Sequence, residues 1–127
     1  MAPACPVLVV EDDPESRFLL ERLLAVRGYR TIIATNGEEG LAMARAHKPC
    51  LIVLDLMMPV LDGRGFRDAQ RKDDSISGIP VVCVSGHHEA ARIAESIQAV
   101  ACLRKPLVFD DLMKLVARHC GDGTSRA

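Results

Sequence analysis

Short apolar runs recur along the chain and alternate with longer segments in which apolar residues follow a helical spacing. Runs that lack polar alternation are typical of strands buried on both faces of a sheet. The pattern predicts five strands, at residues 6–10, 30–34, 51–55, 80–84 and 101–104. It also predicts five helices, at 14–28, 37–46, 64–72, 89–98 and from 109 onward.

Capping residues support the first of these helices. Asp13 suits an N-cap, Pro14 suits the first helical turn, and Gly28 suits a left-handed residue after the helix end. Strands that alternate regularly with helices indicate a parallel sheet covered on both faces. The sequence therefore predicts an α/β fold with a doubly wound sheet.

Composition narrows the number of domains and the classes of partner that the chain can have. The chain has 127 residues, of which 49% are hydrophobic and 26% charged, so we expect one globular domain. The net charge of -1 gives no support for direct nucleic-acid binding. Apolar runs stay well short of the ~20 residues that a membrane span needs, and the first residues do not resemble a signal peptide. We therefore expect no membrane insertion.

The five cysteines are odd in number and widely spaced. This usage favours reduced thiols and a cytoplasmic location. Cys83 and Cys102 lie in predicted strands and are expected to act as core residues. Cys5 and Cys50 each precede a strand and could be neighbours, so a disulfide between them is the less favoured alternative.

Polar residues follow the carboxyl ends of four predicted strands, and in a parallel sheet these ends share one edge. Two charges of the same sign about 4 Å apart repel by about 4 kcal/mol at an effective dielectric constant of about 20. Protonation or a hard divalent cation such as Mg²⁺ would offset that repulsion. The residues concerned are the Glu11-Asp12-Asp13 triplet after the first strand, Asp55 after the third, Ser85 after the fourth and Lys105 after the fifth.

This set of side chains fits the acceptance of a phosphoryl group by Asp55. A carboxylate can form an aspartyl phosphate, and a metal ion together with Lys105 would neutralise the charge that develops. Ser85 would supply a hydroxyl group for the transferred phosphoryl oxygen.

Four motifs in the same order resemble the receiver domain of two-component response regulators. They are Val9-Val10-Glu11-Asp12-Asp13, Leu54-Asp55-Leu56-Met57-Met58-Pro59 with Asp62-Gly63, Val84-Ser85-Gly86, and Lys105-Pro106. The resemblance implies a flavodoxin-like fold of strand order 2-1-3-4-5, a receiver domain over residues 4–120 and a flexible tail over 121–127.

The resemblance also implies roles for individual residues. Asp55 would be the phosphoacceptor, Lys105 would pair with the phosphoryl group, and Ser85 would be the switch. Asp12, assisted by Glu11, Asp55 and the backbone carbonyl of Met57, would bind Mg²⁺. The partner would be a sensor histidine kinase or a histidine phosphotransfer protein, and the domain would be a monomer or a weak phosphorylation-dependent dimer without true enzymatic turnover.

Two positions depart from the family pattern. Cys102 stands at a switch position where receivers usually have an aromatic residue or histidine, so signal transmission there is expected to differ. Met57 is apolar and cannot orient an attacking water, which predicts slow loss of the phosphoryl group. His87, at another position that tunes this lifetime, could act in the opposite direction.

Three other functions compete with phosphoryl acceptance. A phosphatase with an aspartate nucleophile would need a second acid two residues after Asp55, where Met57 stands. A flavin or nucleotide binder would need a Gly- or hydroxyl-rich loop after the first strand, where the sequence is anionic. A receiver-like interaction module that acts without phosphorylation remains the alternative.

Overall fold

The computed structural model describes residues 5–58 and 60–121. Pro59 and most of the predicted tail lie outside the described residues. Strands and helices alternate along the chain, as the sequence predicted. In chain order they are β1 (Val7–Val10), α1 (Pro14–Val26), β2 (Thr31–Ala34), α2 (Gly37–His47), β3 (Leu51–Asp55), α3 (Gly63–Arg71), β4 (Val81–Ser85), α4 (Ala90–Ser96), β5 (Ala101–Arg104) and α5 (Phe109–Cys120).

The five strands form one parallel sheet in the order β2-β1-β3-β4-β5. The predicted flavodoxin-like topology is therefore confirmed. Val10 is in register with Leu54, so the residues that follow them, Glu11 and Asp55, lie at the same level of the sheet. Ser85 is in register with Arg104, which places Lys105 one residue beyond the end of β4.

The central strands β1, β3 and β4 are buried on both faces, which explains their lack of polar alternation, whereas the edge strands β2 and β5 are partly exposed. On one face, side chains such as Leu8, Leu54 and Cys83 pack against a core that includes Leu41 of α2 and Phe66 of α3. The opposite face packs against α1 and α5 through a second cluster. Its members include Val9, Val53, Val84, Leu20, Leu24, Leu112 and Val116.

The predicted caps of α1 are confirmed. The Asp13 side chain accepts a hydrogen bond from the backbone N–H of Ser16 at 3.1 Å. Gly28 has a φ of 88°, and the N–H of Tyr29 donates to the carbonyl of Leu24 at 3.0 Å. Asp13 is thus occupied as a cap and is not a member of the carboxylate cluster that Glu11 and Asp12 form with Asp55.

Helix α4 is shorter than the predicted range of residues 89–98. It stops at Ser96, and Gln98 takes a positive φ of 58° so that the N–H of Ala99 reaches the carbonyl of Ala94 at 3.0 Å. Arg67 and Arg71 of α3 donate to the carbonyl of Ile97 at 2.8 and 2.7 Å. These two hydrogen bonds satisfy a backbone carbonyl at the end of α4. The apolar pattern of α4 alone does not predict them.

Cys5 and Cys50 form a disulfide, with 5.5 Å between their Cα atoms. The prediction that all five thiols are reduced, on which the expected cytoplasmic location partly rested, is therefore wrong. The register explains the pairing, because Val7 of β1 pairs with Leu51 of β3, and Cys5 and Cys50 stand two residues and one residue before these positions. Across residues 5–58 and 60–121, every helix is too short or too polar to cross a membrane.

Candidate functional site

Three carboxylates meet at the carboxyl edge of β1 and β3. One oxygen from each of Glu11, Asp12 and Asp55 lies within 4.8 Å of the others. Glu11 is 2% exposed and Asp55 is 7% exposed, whereas Asp12 is half-buried. The adjacent strand ends thus bring together the acids that the sequence predicted, in a setting where water screens their charges poorly.

Lys105 supplies the positive charge of this cluster. Its Nζ lies 2.8 Å from Oε1 of Glu11 and 3.7 Å from Oδ2 of Asp55. Burial acts to lower the pKa of Lys105, but the hydrogen bond to Glu11 and the charge of Asp55 outweigh it and raise the pKa above its ordinary value. The ammonium group therefore stays charged, with Glu11 as its closest anionic partner.

The Asp55 carboxyl is costly to ionise in this setting. Burial, followed by the neighbouring Glu11, raises its pKa to about 8, although the N–H of Met57 donates to its Oδ1 at 3.1 Å. One cation near two buried carboxylates does not remove their repulsion. A further cation bound at this edge would favour the ionised form of Asp55.

The donor set fits a magnesium ion. Oε2 of Glu11 is buried and, among the described residues, has no hydrogen-bond partner in the protein. A buried oxygen without a partner is unfavourable, and a bound cation would satisfy it. Carboxylate oxygens are also the ligands that Mg²⁺ prefers.

Arg17 is a component of the site that the sequence reasoning missed. Its Nη1 donates to the backbone carbonyls of Glu11 and Asp12 at 3.1 and 3.3 Å, fixing the loop that carries both acids. A signal was present in the sequence, because a basic residue in the first turn of a helix opposes the helix dipole. Such a residue needs a compensating partner, and the acidic loop before α1 provides one.

Ser85 is 1% exposed at the end of β4. Its Oγ accepts a hydrogen bond from the N–H of His87 at 3.0 Å, so the hydroxyl is engaged by the loop before α4. Its backbone carbonyl accepts from the N–H of Lys105 at 3.1 Å. The structure thus links Ser85 to Lys105 through the backbone and Ser85 Oγ to the loop before α4.

His87 and His88 stack on each other with 4.6 Å between ring centroids. Nδ1 of His87 accepts from the N–H of Glu89 at 3.1 Å, so this ring helps to start α4. In the part of the chain that the structure describes, the only cluster of metal-ligating side chains is the acidic one, and it does not include these histidines.

Cys102 lies away from the acidic cluster. It is partly exposed on β5, in register with Cys83 of β4, and packs on the core face that α4 covers. Burial raises the pKa of both thiols, that of Cys83 to about 12. Both groups are therefore neutral side chains near pH 7, as expected for core cysteines.

Residues 7–117 match the response regulator receiver domain family. The chain belongs to this family. A receiver domain is a signalling module rather than an ordinary enzyme. The acidic pocket with Lys105 lies outside the carboxyl ends of the strands, where open α/β sheets bind their ligands.

Two curated relatives and one solved structure illustrate the similarity. The polar-differentiation response regulator DivK of Brucella anthropi is 30% identical over 119 residues, covering 91% of this chain and 96% of DivK. The probable transcriptional regulator ycf27 of Porphyra purpurea is 43% identical over 79 residues, 62% of this chain. Chemotaxis protein CheY4 of Vibrio cholerae is 28% identical, with a TM-score of 0.82 over 93% of this chain and 99% of CheY4.

The relatives differ greatly in length. This receiver domain matches nearly all of DivK but spans only about a third of ycf27 and of similar curated regulators. Activities that belong to the rest of those longer proteins therefore do not transfer to this chain.

Proposed function

We propose that this receiver domain accepts a phosphoryl group on Asp55 from a histidine kinase or a histidine phosphotransfer protein. The observation that carries the proposal is the position of Lys105, whose ammonium group contacts Glu11 and lies 3.7 Å from Asp55. A buried acceptor carboxylate, two further acids and a charged amine at one sheet edge match the needs of phosphoryl transfer.

In the transfer, an Asp55 oxygen attacks the phosphorus atom and the bond between phosphorus and the donor atom breaks. Lys105 neutralises charge on the phosphoryl oxygens. Glu11, Asp12, Asp55 and the carbonyl of Met57 would hold Mg²⁺, which supplies charge neutralisation when bound. Arg17 keeps the Glu11–Asp12 backbone in place during this step.

The response to phosphorylation begins at Ser85. Its hydroxyl donates a hydrogen bond to a phosphoryl oxygen, and the movement of Oγ toward that oxygen weakens the bond that Oγ accepts from the N–H of His87 in the loop before α4. The backbone bond from Lys105 to the Ser85 carbonyl supports movement of these two residues together. On β5, the side chain of Cys102 is smaller than the aromatic ring that receivers usually have at this position. The movement of Ser85 and Lys105 therefore acts on a smaller side chain there.

We also propose the extent, the assembly state and the location of this domain. The receiver unit spans residues 4–120. It is a monomer or a weak dimer that forms on phosphorylation, it acts in the cytoplasm, and its partners are proteins rather than nucleic acids.

The test is phosphorylation by the small donor phosphoramidate in Mg²⁺, followed by intact-mass measurement. We expect one added phosphoryl group that requires Mg²⁺ and is lost in Asp55→Asn. Asp62→Asn is the matched control, because Asp62 only caps α3 through the N–H of Gly65 at 2.9 Å. Failure to form the adduct at saturating donor would favour the module that acts without phosphorylation.

A further inference from the structure

A cavity of about 340 Å³ opens beside the acidic cluster, between α1 and the segment that joins β5 to α5. Its polar lining residues are Glu11, Ser16 and Lys105, of which Glu11 and Lys105 form its charged end. Because Lys105 Nζ is 3.7 Å from Oδ2 of Asp55, this end adjoins the acceptor carboxylate. The volume lies at the lower end of the range typical of small-molecule pockets.

The rest of the cavity is mainly apolar. Leu19 and Leu20 of α1 face Pro106, Leu107 and Phe109 across it. Leu19 is 49% exposed, so the pocket keeps an apolar wall open to solvent. An apolar concave surface next to a charged end suits a ligand that has an anionic group and an apolar body.

We propose that this cavity receives the leaving group of a small acyl phosphate, and that it favours an apolar aromatic acyl group over a small one. This inference rests on the proposed function, since it concerns the donor used to phosphorylate Asp55. The phosphoryl group lies at the charged end beside Lys105, and the aromatic ring lies between α1 and the β5–α5 segment.

Charge and size select this occupant. The ammonium group of Lys105 complements the phosphoryl group, and Mg²⁺ held by Glu11 would offset the carboxylate that lines the same end. The apolar lining residues offer no hydrogen bonds to a charged or hydroxylated acyl group. An acetyl group fills only part of the space, whereas a benzoyl ring contacts both apolar walls and displaces more water.

The transfer is balanced without any further reactant. An Asp55 carboxylate oxygen forms a bond to phosphorus as the bond from phosphorus to the acyl oxygen breaks. That electron pair leaves with the acyl group, so the products are aspartyl phosphate and benzoate. The in-line arrangement of attacking and leaving oxygens directs the acyl group away from Asp55.

The test compares benzoyl phosphate with acetyl phosphate as donors to the whole chain in Mg²⁺, by the initial rate of phosphorylation measured as intact mass. We expect kcat/KM to be about tenfold higher for benzoyl phosphate, since small apolar differences in a pocket give discrimination of this order. Replacing both Leu19 and Phe109 with Ala should remove most of this preference, measured as the ratio of kcat/KM for the two donors.

Val26→Ala is the matched control. Val26 also lies on α1 and is 77% exposed, but it does not line the cavity. Its variant should keep the full preference for benzoyl phosphate. The use of a donor ratio within each variant cancels the difference in intrinsic reactivity between the two acyl phosphates.

The outcomes separate this inference from the proposed function. If both donors phosphorylate Asp55 and their ratio is the same in wild type and the Leu19/Phe109 variant, the inference is overturned and the proposed function stands. If neither donor nor phosphoramidate gives an adduct, both fail.

A non-reactive ligand provides a second measurement. Phenylphosphonate has a ring and an anionic group but no leaving group, and in Mg²⁺ it should shift the methyl NMR signals of Leu19, Leu20 and Leu107. An unchanged spectrum at millimolar phenylphosphonate would overturn the inference without bearing on phosphorylation itself.

Discussion

The acidic edge of the sheet and the region around α4 and β5 are stabilised in contrasting ways. At the acidic edge, Glu11 and Asp55 are nearly buried and share one ammonium group. Around α4, Arg67 and Arg71 satisfy the carbonyl of Ile97 and neutral thiols pack in the core. Repulsion between carboxylates therefore remains at the acidic edge, where a bound cation can reduce it. The region around α4 and β5 is already stabilised by packing and hydrogen bonds.

The largest expected effect tests whether the acidic edge is under electrostatic strain. The pKa of Asp55 is raised to about 8 in the folded protein, so its protonated carboxyl group favours the folded over the unfolded state. This contribution to stability is fully present below about pH 4 and is lost as the pH rises through about 8. Asp55→Asn cannot ionise and avoids this loss. In metal-free buffer, we expect its Tm to exceed that of wild type by about 10 °C at pH 8.5 and by much less at pH 4.5.

Thermal unfolding followed by circular dichroism across this pH range provides the measurement. Asp62→Asn serves as the control, since Asp62 is an exposed cap. If the difference in Tm between Asp55→Asn and wild type stays constant with pH, ionisation of Asp55 does not destabilise the folded protein and the prediction is wrong.

The second prediction compares a buried ion pair with an exposed one. Lys105→Met leaves Glu11 buried without its cation, and we expect it to lower the free energy of unfolding by about 2 kcal/mol at pH 8. Arg45→Met breaks the Arg45–Asp73 pair, which is 2.7 Å long but exposed, and should cost less than about 1 kcal/mol.

Urea unfolding in metal-free buffer measures both losses. Equal effects of Lys105→Met and Arg45→Met would mean that burial does not distinguish the acidic edge from the surface. The double variant Lys105→Met, Glu11→Gln should recover part of the lost stability, because it also removes the buried charge.

The third prediction concerns the loop that holds the acids. Arg17→Met removes the donor to the carbonyls of Glu11 and Asp12, and we expect it to weaken Mg²⁺ binding about tenfold. Isothermal titration calorimetry gives the Kd directly. Arg22→Met, on the exposed side of the same helix, is the control and should keep the wild-type affinity. An unchanged Kd in Arg17→Met would show that Arg17 does not position the site.

The smallest effect is expected on the α4 and β5 side. Cys102→Ala removes a partly exposed thiol and should lower the free energy of unfolding by about 1 kcal/mol or less, with phosphorylation by phosphoramidate within about twofold of wild type. Cys83→Ala, which acts on a fully buried side chain, should destabilise more. A large loss of phosphorylation in Cys102→Ala would show that the two regions are not separate.

Much of this receiver domain could be predicted from its sequence. Apolar runs are a local property, and so they predicted all five strands, with β3 and β5 at their observed bounds. The same pattern placed Asp55 at a strand end, and the parallel topology then gathered it with Glu11, Asp12 and Lys105. Motif order and strand alternation together determined the fold and the residues of the acidic site.

Other features depend on contacts between residues far apart in the chain. The disulfide of Cys5 and Cys50 follows from the register of β1 with β3, and the shortened α4 is matched by donors from α3. Likewise, tertiary structure placed Lys105 nearer to Glu11 than to Asp55 and left Oε2 of Glu11 without a hydrogen-bond partner within the part of the chain that the structure describes. The sequence by itself determined which groups meet at the sheet edge; only packing decided their distances, burial and pairing, because these depend on the three-dimensional surroundings of each group.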